Sequence, residues 1–247
     1  VTAPATFSRL MRKLLNGMQN IDNFIDDIII FTPDLDQHLE VLRELFLRLR
    51  GANLTAKPSK CSLGYSSLEC LGHIVGEDRL KPNPEKVRAI QEASRPETKC
   101  QLRSFLALLS FYRKFVPNFS AIALPLTDLT KKGAPNKVNW ENPQENAFNS
   151  LKQILIHSPV LKLPDISKPF ILQTDASDGG IGAVLLQLED EVGIKLPVAY
   201  ASRKLKSSEC KYSTIEKECL GIVWAINKFQ RYLYGREFLI ETDHQPL

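Results

Sequence analysis

The sequence predicts a chain of mixed class, α+β in its first half and α/β in its last third, with a helical stretch between. Three observations carry this. A short apolar run split by two acids, FIDDIIIF, reads as a hairpin. A series of helix start signals follows it, and from Pro169 the apolar pattern changes to strands, closing in the order β-β-β-α-β.

The elements follow in order. In FIDDIIIF, two apolar arms meet at Asp26-Asp27, so a hairpin tip holding both carboxylates is expected, with Phe24, Ile25 and Ile28 to Phe31 packed beneath it. An ionised carboxylate taken out of water without a partner costs several kcal/mol, so a pair held in apolar surroundings demands a compensating charge. Successive strand side chains point to opposite faces, so only one of the pair can aim at a given cation. Asp-Asp is also ordinary turn chemistry, and that reading competes with the catalytic one. Leu39, Leu42, Leu45, Phe46 and Leu49 then repeat at helical spacing, with Asp34 and Gln37 as a capping box and Gly51 as the stop.

Asn83-Pro84 opens a further helix, and Thr98 with Gln101 opens a longer one whose apolar face is Leu102, Phe105, Leu106, Leu109, Tyr112 and Phe115. Pro117 and Asn118 end it. Asn142-Pro143, with Glu145 in the capping-box place, starts a helix that runs to about His157, before the proline-rich connector SPVLKLPDISKP. PFILQTD, GIGAVLLQ and LPVAYAS predict an antiparallel meander whose first turn is SDGG. Ser213 and Glu216 cap a helix carrying Ile215, Cys219, Ile222, Val223, Ile226, Phe229 and Leu233, and EFLIETD predicts a last strand.

If that last strand runs parallel to the first, the helix between them is a right-handed crossover and both strands end at one corner. Asp175 and Asp243 stand at those ends and Glu218 lies early in the helix. Carboxylates about 4 Å apart repel by roughly 4 kcal/mol at an effective dielectric near 20, a sign that a hard divalent cation such as Mg²⁺ reverses. Singly, each acid reads as a turn or cap residue; together they read as a metal site for phosphoryl transfer.

Composition sets the outer bounds. The 247 residues are 43% hydrophobic and 24% charged, ordinary globular material with room for two or three small domains. No apolar run approaches the roughly 20 residues of a membrane span, and no signal-peptide layout opens the chain, so an intracellular, cytoplasmic protein with no membrane partner is expected. Five cysteines without a CxxC pair and four scattered histidines indicate neither disulfides nor zinc. Ten Lys/Arg against four acids between Lys81 and Gly133 give that segment +6 of a total of +4, as a solvated helical surface or as a phosphate-attracting one.

In APATFSRLM, FIDDIIIF, LGHIV after KCSLG, LRSFLALLSFYRKFVPNFS, KPFILQTDAS with GIGAVL, VAYASRKL, YSTIEKECLGIVWAI and TDHQPL, the chain resembles the reverse transcriptase and ribonuclease H region of gypsy-class LTR retrotransposon Pol polyproteins over essentially its whole length. The resemblance implies the C-terminal part of a polymerase palm at 1–80, a helical thumb at 81–135, a connection at 136–167 and a ribonuclease H-like domain at 168–247. It implies two-metal, Mg²⁺-dependent chemistry at two sites, with Mn²⁺ as the alternative. Asp26 and Asp27 match the palm aspartates, and Asp175, Glu218 and Asp243 match the nuclease acids. Leu71, Gly72 and His73 match the primer grip, Lys60 falls near a lysine beside the incoming triphosphate, and Arg113 lies in a thumb that tracks the nucleic-acid backbone.

The implied partners are an RNA template, a DNA primer, their RNA–DNA hybrid, deoxynucleoside triphosphates and the rest of the Pol polyprotein, in a virus-like particle. Phe24 stands where the palm signature often has tyrosine. The family's fingers and first palm aspartate would precede Val1, and its nuclease domain would continue past Leu247 to another acid. The alternative is a catalytically incomplete remnant that at most binds nucleic acid.

Overall fold

A computed structural model describes residues 3–157, 160–189 and 193–242. The chain forms two compact units, Val1–Cys70 and Leu71–Leu247.

In the first unit, helix α1 (Ala3–Leu15) leads into strands β1 (Ile21–Phe24) and β2 (Asp27–Ile30), then helix α2 (Leu35–Gly51), a 3₁₀ turn at Pro58–Lys60 and strand β3 (Ser67–Cys70). Asp34 caps α2 by accepting from the Gln37 amide at 2.8 Å. Met11 and Leu15 of α1 pack against Leu45 and Leu49 of α2, with Ile21, Ile28 and Ile30 of the hairpin closing the cluster. Each such buried side chain contributes about 1.5–3 kcal/mol. Leu39 and Phe46, expected on the buried face of α2, are exposed.

The second unit begins with β4 (His73–Gly76) and β5 (Arg79–Pro82), an antiparallel pair in the register His73↔Pro82. Helices α3 (Pro84–Glu92) and α4 (Lys99–Phe111) follow, the second closed by a full capping box between Thr98 and Gln101. The expected apolar face of α4 is the one buried, continuing through Tyr112 and Phe115 in a 3₁₀ turn. Short helices α5 (Phe119–Ile122) and α6 (Leu124–Asp128) and the longer α7 (Asn142–Ile156) complete this core, where the Phe148 ring meets Phe105 at a tilt and Trp140 edge-on. The proline-rich connector is not structureless: it contributes β6 (Leu161–Lys162), which pairs with β5 and buries Leu161 fully.

The meander is β7 (Phe170–Ala176), β8 (Gly180–Leu188) and β9 (Lys195–Lys204), followed by α8 (Thr214–Lys228), α9 (Gln230–Leu233) and β10 (Phe238–Thr242). The sheet order is β10-β7-β8-β9, with β10 parallel to β7 from Phe238↔Phe170 to Thr242↔Thr174. A parallel neighbour demands a crossover, and α8 supplies it across one face of the sheet. That face buries Phe170, Leu172, Ala183 and Leu185 against Ala225, Phe229 and Leu233.

The face that α8 buries matches the expected one at and beyond its C-terminal end, where Ile226, Phe229 and Leu233 pack on the core, and differs before it: Ile215, Cys219 and Val223 are exposed, and Lys217, Glu218, Gly221 and Ala225 are buried. The reason is positional. The capping box between Ser213 and Glu216 fixes the start of the helix, and the small residues Gly221 and Ala225 take the side of closest approach, with Gly221 facing Ile181 and Ala176.

The helical stretch and the sheet share one unit because polar ties join them. Arg113 donates to the Ser202 carbonyl at 2.6 Å, the Ser120 hydroxyl donates to the same carbonyl at 2.9 Å, and the Ser120 amide donates to the Ser202 hydroxyl at 2.9 Å. Lys204 reaches Thr127 and Asp128 at 2.8 and 3.0 Å.

A second clamp holds the turn after β9. Arg203 grips both carboxylate oxygens of Glu209 at 2.6 and 3.2 Å while its guanidinium lies over the Trp224 ring. Arg203, followed by the Lys206 amide, holds the Glu209 carboxyl below its ordinary value of 4.5. A carboxylate depressed by folding stabilises above its unfolded value and loses that contribution as pH falls through its folded one. Thermal melts of the wild-type chain and of Glu209→Gln should therefore differ at neutral pH and converge as the pH drops below 4.5. A difference that stays constant into acid would remove Glu209 from the acid-sensitive set.

Candidate catalytic sites and nucleic-acid interface

The first candidate site is the β1–β2 hairpin. Its register pairs Phe24 with Asp27, so the two-residue tip is Ile25-Asp26 and Asp27 is the first residue of β2. The expected tip, Asp26-Asp27, is thus displaced by one residue. Period-two alternation puts Asp22, Phe24, Asp27 and Ile29 on one face and Ile21, Asn23, Ile28 and Ile30 on the other. Only the second face packs on the helices.

Both aspartates are exposed, and so are Phe24, Ile25 and Phe31, which were expected beneath them. The apolar text around the carboxylates therefore imposes no desolvation cost within this unit. Asp22, which the sequence reading passed over, shares the Asp27 face; period two was the available signal. As a diagonal cross-strand neighbour it stands roughly 7–8 Å from Asp27. Burial, and then the nearby Asp27 carboxylate, push the Cys70 thiol up from its usual range.

The hairpin tip is strained. Ile25 has φ +58°, a left-handed conformation that costs a β-branched residue about 1–3 kcal/mol, and the Asn23 side-chain amide braces it by donating to the Ile25 carbonyl at 3.1 Å. Ile25→Gly should leave the melting temperature unchanged or raise it, whereas an unstrained β-branched position would lose about 1 kcal/mol on the same change. A clear drop in differential scanning calorimetry would show that the tip is not under strain.

The second candidate site lies at the end of β7. Asp175 pairs with Gly182, and its side chain is exposed on the sheet face opposite α8. Helix α8 carries Glu218 down to that strand end, where the residue is 4% exposed and Oε1 accepts from the Ala176 amide at 3.3 Å. The Glu218 carboxylate therefore binds the backbone of the residue next to Asp175. The neighbouring Lys217 reaches Asp178 in the β7–β8 turn at 2.7 Å, which fixes this first turn of α8 over the same corner. Asp243, the third expected acid, lies outside the described residues, and among the described residues no group of three metal-binding side chains is found.

Beside Asp175, a cavity of about 450 Å³ opens between the sheet and the Pro117-Asn118 bend. Gln173, Tyr200 and Glu241 line it, with Glu241 held by Gln173 at 2.6 Å and by Lys195 at 2.6 and 2.7 Å. These partners, Gln173 first, keep the Glu241 carboxyl below its ordinary range.

The remaining predicted residues divide. Lys60 ends the 3₁₀ turn of the first unit and is exposed. Leu71, Gly72 and His73 form a tight bend in which Leu71 and Gly72 both have positive φ, +48° and +74°. A side chain at Gly72 would be strained by the left-handed φ and would sit tightly, its Cβ 3.2 Å from the Phe111 ring. Tyr112 donates to the Gly72 carbonyl at 2.8 Å, and the His73 ring is caged by Phe111, Tyr112 and Phe115.

Arg113, expected to face nucleic acid, is turned inward: it binds Ser202 and Ser120 and lies over the Phe119 ring. The physical reason is the carbonyl of Ser202, which a guanidinium satisfies where the bend meets β9. Other cations of the basic segment also have protein partners, several of them in exposed surface pairs. Lys99 and Arg103 cap carbonyls of residues 130–134, Arg95 and Lys131 pair with Glu145 and Asp128, and Arg88 pairs with Glu92 on its own helix.

The family model described as reverse transcriptase (RNA-dependent DNA polymerase) matches residues 1–75, and the one described as an RNase H-like domain found in reverse transcriptase matches 140–240. The chain is 44% identical over 99% of its length to the retrovirus-related Pol polyprotein from transposon 297 of Drosophila melanogaster, covering 23% of that protein. It is 44% identical over 91% of its length to that from transposon gypsy of the same organism, covering 22%. To the transposon Tf2-3 polyprotein of Schizosaccharomyces pombe it is 32% identical over its full length, covering 18%.

Among solved structures, the foamy viral protease-reverse transcriptase in complex with an RNA/DNA hybrid superposes with a TM-score of 0.86 at 26% identity, over 98% of this chain and 32% of that one. The same enzyme with double-stranded DNA superposes equally well at 27% identity, over 99% and 50%. The chain thus spans about a quarter of the length of the curated relatives it matches. Its fold, both family models and its relatives agree: it belongs to the reverse transcriptase and ribonuclease H region of LTR-retrotransposon Pol polyproteins.

Proposed function

We propose that the chain is the part of an RNA-directed DNA polymerase that carries the palm hairpin, the thumb and most of a ribonuclease H module. In this reading residues 1–80 serve the palm, 81–135 the thumb, 136–167 the connection and 168–247 the nuclease, inside a cytoplasmic virus-like particle. The observation that carries the nuclease half is the meeting of Glu218 with the Ala176 amide, one residue beyond Asp175.

The parallel register supports the third ligand, since its last described pair is Thr174↔Thr242 and the next residues in the chain are Asp175 and Asp243. The donors are all hard carboxylate oxygens, which suit Mg²⁺. Asp175, Glu218 and Asp243 would hold it, and at the hairpin Asp26 and Asp27 would do the same. Bound there, Mg²⁺ supplies Lewis acidity at a phosphoryl oxygen and a lowered pKa for bound water.

The chain's own residues then have distinct tasks. The Ala176 amide orients Glu218 and keeps one carboxylate oxygen fixed. Lys217, tied to Asp178, holds the start of α8 in place. The hairpin presents Asp27 on its open face and Asp26 at its tip, where a primer end and a deoxynucleoside triphosphate would be aligned. The named relatives' complexes with hybrid and duplex support an RNA–DNA hybrid as the substrate of the second site.

Two substitutions in the full-length polyprotein enzyme separate the sites. Asp175→Asn should lower Mg²⁺-dependent cleavage of the RNA strand of a labelled hybrid by about a thousandfold, several kcal/mol of metal-ion stabilisation, and leave primer extension intact. Asp26→Asn should do the reverse, and equal loss of both activities in either variant would contradict a two-site enzyme. Glu218→Gln keeps an oxygen for the Ala176 amide, so cleavage should fall while the melting temperature holds. Retained cleavage in that variant would exclude Glu218 from the metal site.

A further inference from the structure

The cations of the basic segment pose a question of supply. Arg88, Arg95, Lys99, Arg103, Arg113 and Lys131 are all engaged with protein oxygens. Lys81, Lys86 and Lys132 are exposed, where an ammonium is solvated at no cost. Lys114 differs from both groups. It is half-buried, its ammonium lies over the Phe115 ring at 5.5 Å, and among the described residues it meets no carboxylate. Burial pulls its pKa down from the ordinary lysine value. A ring face returns only about 0.5–2 kcal/mol to a cation, less than a second charge would.

Its surroundings are built and rigid. Phe115 stacks on His73 with ring centroids 5.7 Å apart, His73 Nδ1 donates to the Leu71 carbonyl at 3.0 Å, and Tyr112 donates to Gly72. With Nδ1 as the donor, the neutral ring carries its lone pair on Nε2, which is buried without a hydrogen-bond partner. Burial, and then the Lys114 charge, hold His73 neutral, so the imidazole adds no competing positive charge. An anion arriving at Lys114 therefore meets a single fixed ammonium beside the Leu71-Gly72-His73 bend.

We infer that Lys114 is a phosphate contact of the thumb: its ammonium binds one backbone phosphate of a nucleic-acid duplex lying along the Leu71-Gly72-His73 bend, and the Phe115–His73 stack sets its position. The inference rests on the reading of this region as a nucleic-acid interface. Its neighbour Arg113 is engaged with Ser202 and Ser120. A phosphate contact positions the duplex without reading its sequence, so the site takes DNA duplex and RNA–DNA hybrid alike.

The test measures the affinity of the 247-residue chain for a labelled DNA duplex as salt rises from about 50 to 200 mM, in wild type, Lys114→Met and Lys114→Arg. Methionine keeps the aliphatic packing on Phe115, and equal melting temperatures check that it does. Lys114→Met should bind about tenfold more weakly at low salt and lower the slope of log affinity against log salt by about 0.9, the value of one released counterion, while Lys114→Arg restores both. A wild-type chain that binds with a steep salt slope, matched by Lys114→Met, overturns the role of Lys114 alone. A wild-type chain with no salt-dependent binding overturns the nucleic-acid interface itself, and with it this inference.

Discussion

Two neighbouring strands that run in the same direction cannot be joined by a tight turn. Here β7 and β10 are such a pair, and the helix that must span them is the element on which the nuclease half depends. The crossover decides which side of α8 meets the sheet, and the small residues Gly221 and Ala225 decide how close it comes. Once the helix is seated, Glu218 has one place to be, against the amide that follows Asp175. The carboxylate arrangement is thus a consequence of strand topology, with the capping box at Ser213 and Glu216 setting the phase.

The helical stretch that precedes the sheet plays two parts. Its apolar face is continuous from Leu102 to Phe115 and builds a core cluster that also takes in Leu161 of β6. Several of its cations are engaged with protein oxygens, Lys99 and Arg103 at carbonyls of residues 130–134 and Arg113 at the Ser202 strand position. Part of the +6 segment charge is thus matched by neighbouring carboxylates and carbonyls on the surface. The bend at Leu71-Gly72-His73 is closed by the Phe111, Tyr112 and Phe115 rings, and in the proposed reading a duplex would lie along it.

Much of this was legible in the residues. Capping signals at Asp34, Asn83, Thr98 and Ser213 marked helix starts that the structure keeps, because a cap is a local interaction between neighbours in the chain. The strand pattern after Pro169 and the parallel return of EFLIET were equally local to read. The reading failed where packing partners decide the outcome. Which face of α8 is buried depends on the sheet beneath it, and no periodicity distinguishes Ile215, Cys219 and Val223 from core residues. The hairpin tip moved by one residue because Ile25 accepts positive φ, which β-branched residues seldom do. The inward turn of Arg113 depends on Ser202, 89 positions away in the chain.

The central claim is that the corner formed by β7 and α8 is a cation site and not merely a pair of neighbouring acids. Calorimetric titration of the 247-residue chain with Mg²⁺, in wild type and in the double variant Asp175→Asn/Glu218→Gln, tests it without reference to turnover. The account predicts a saturable isotherm in wild type from which the double variant loses one component at unchanged fold, keeping only the part that the Asp26-Asp27 hairpin supplies. Isotherms that superimpose would contradict it.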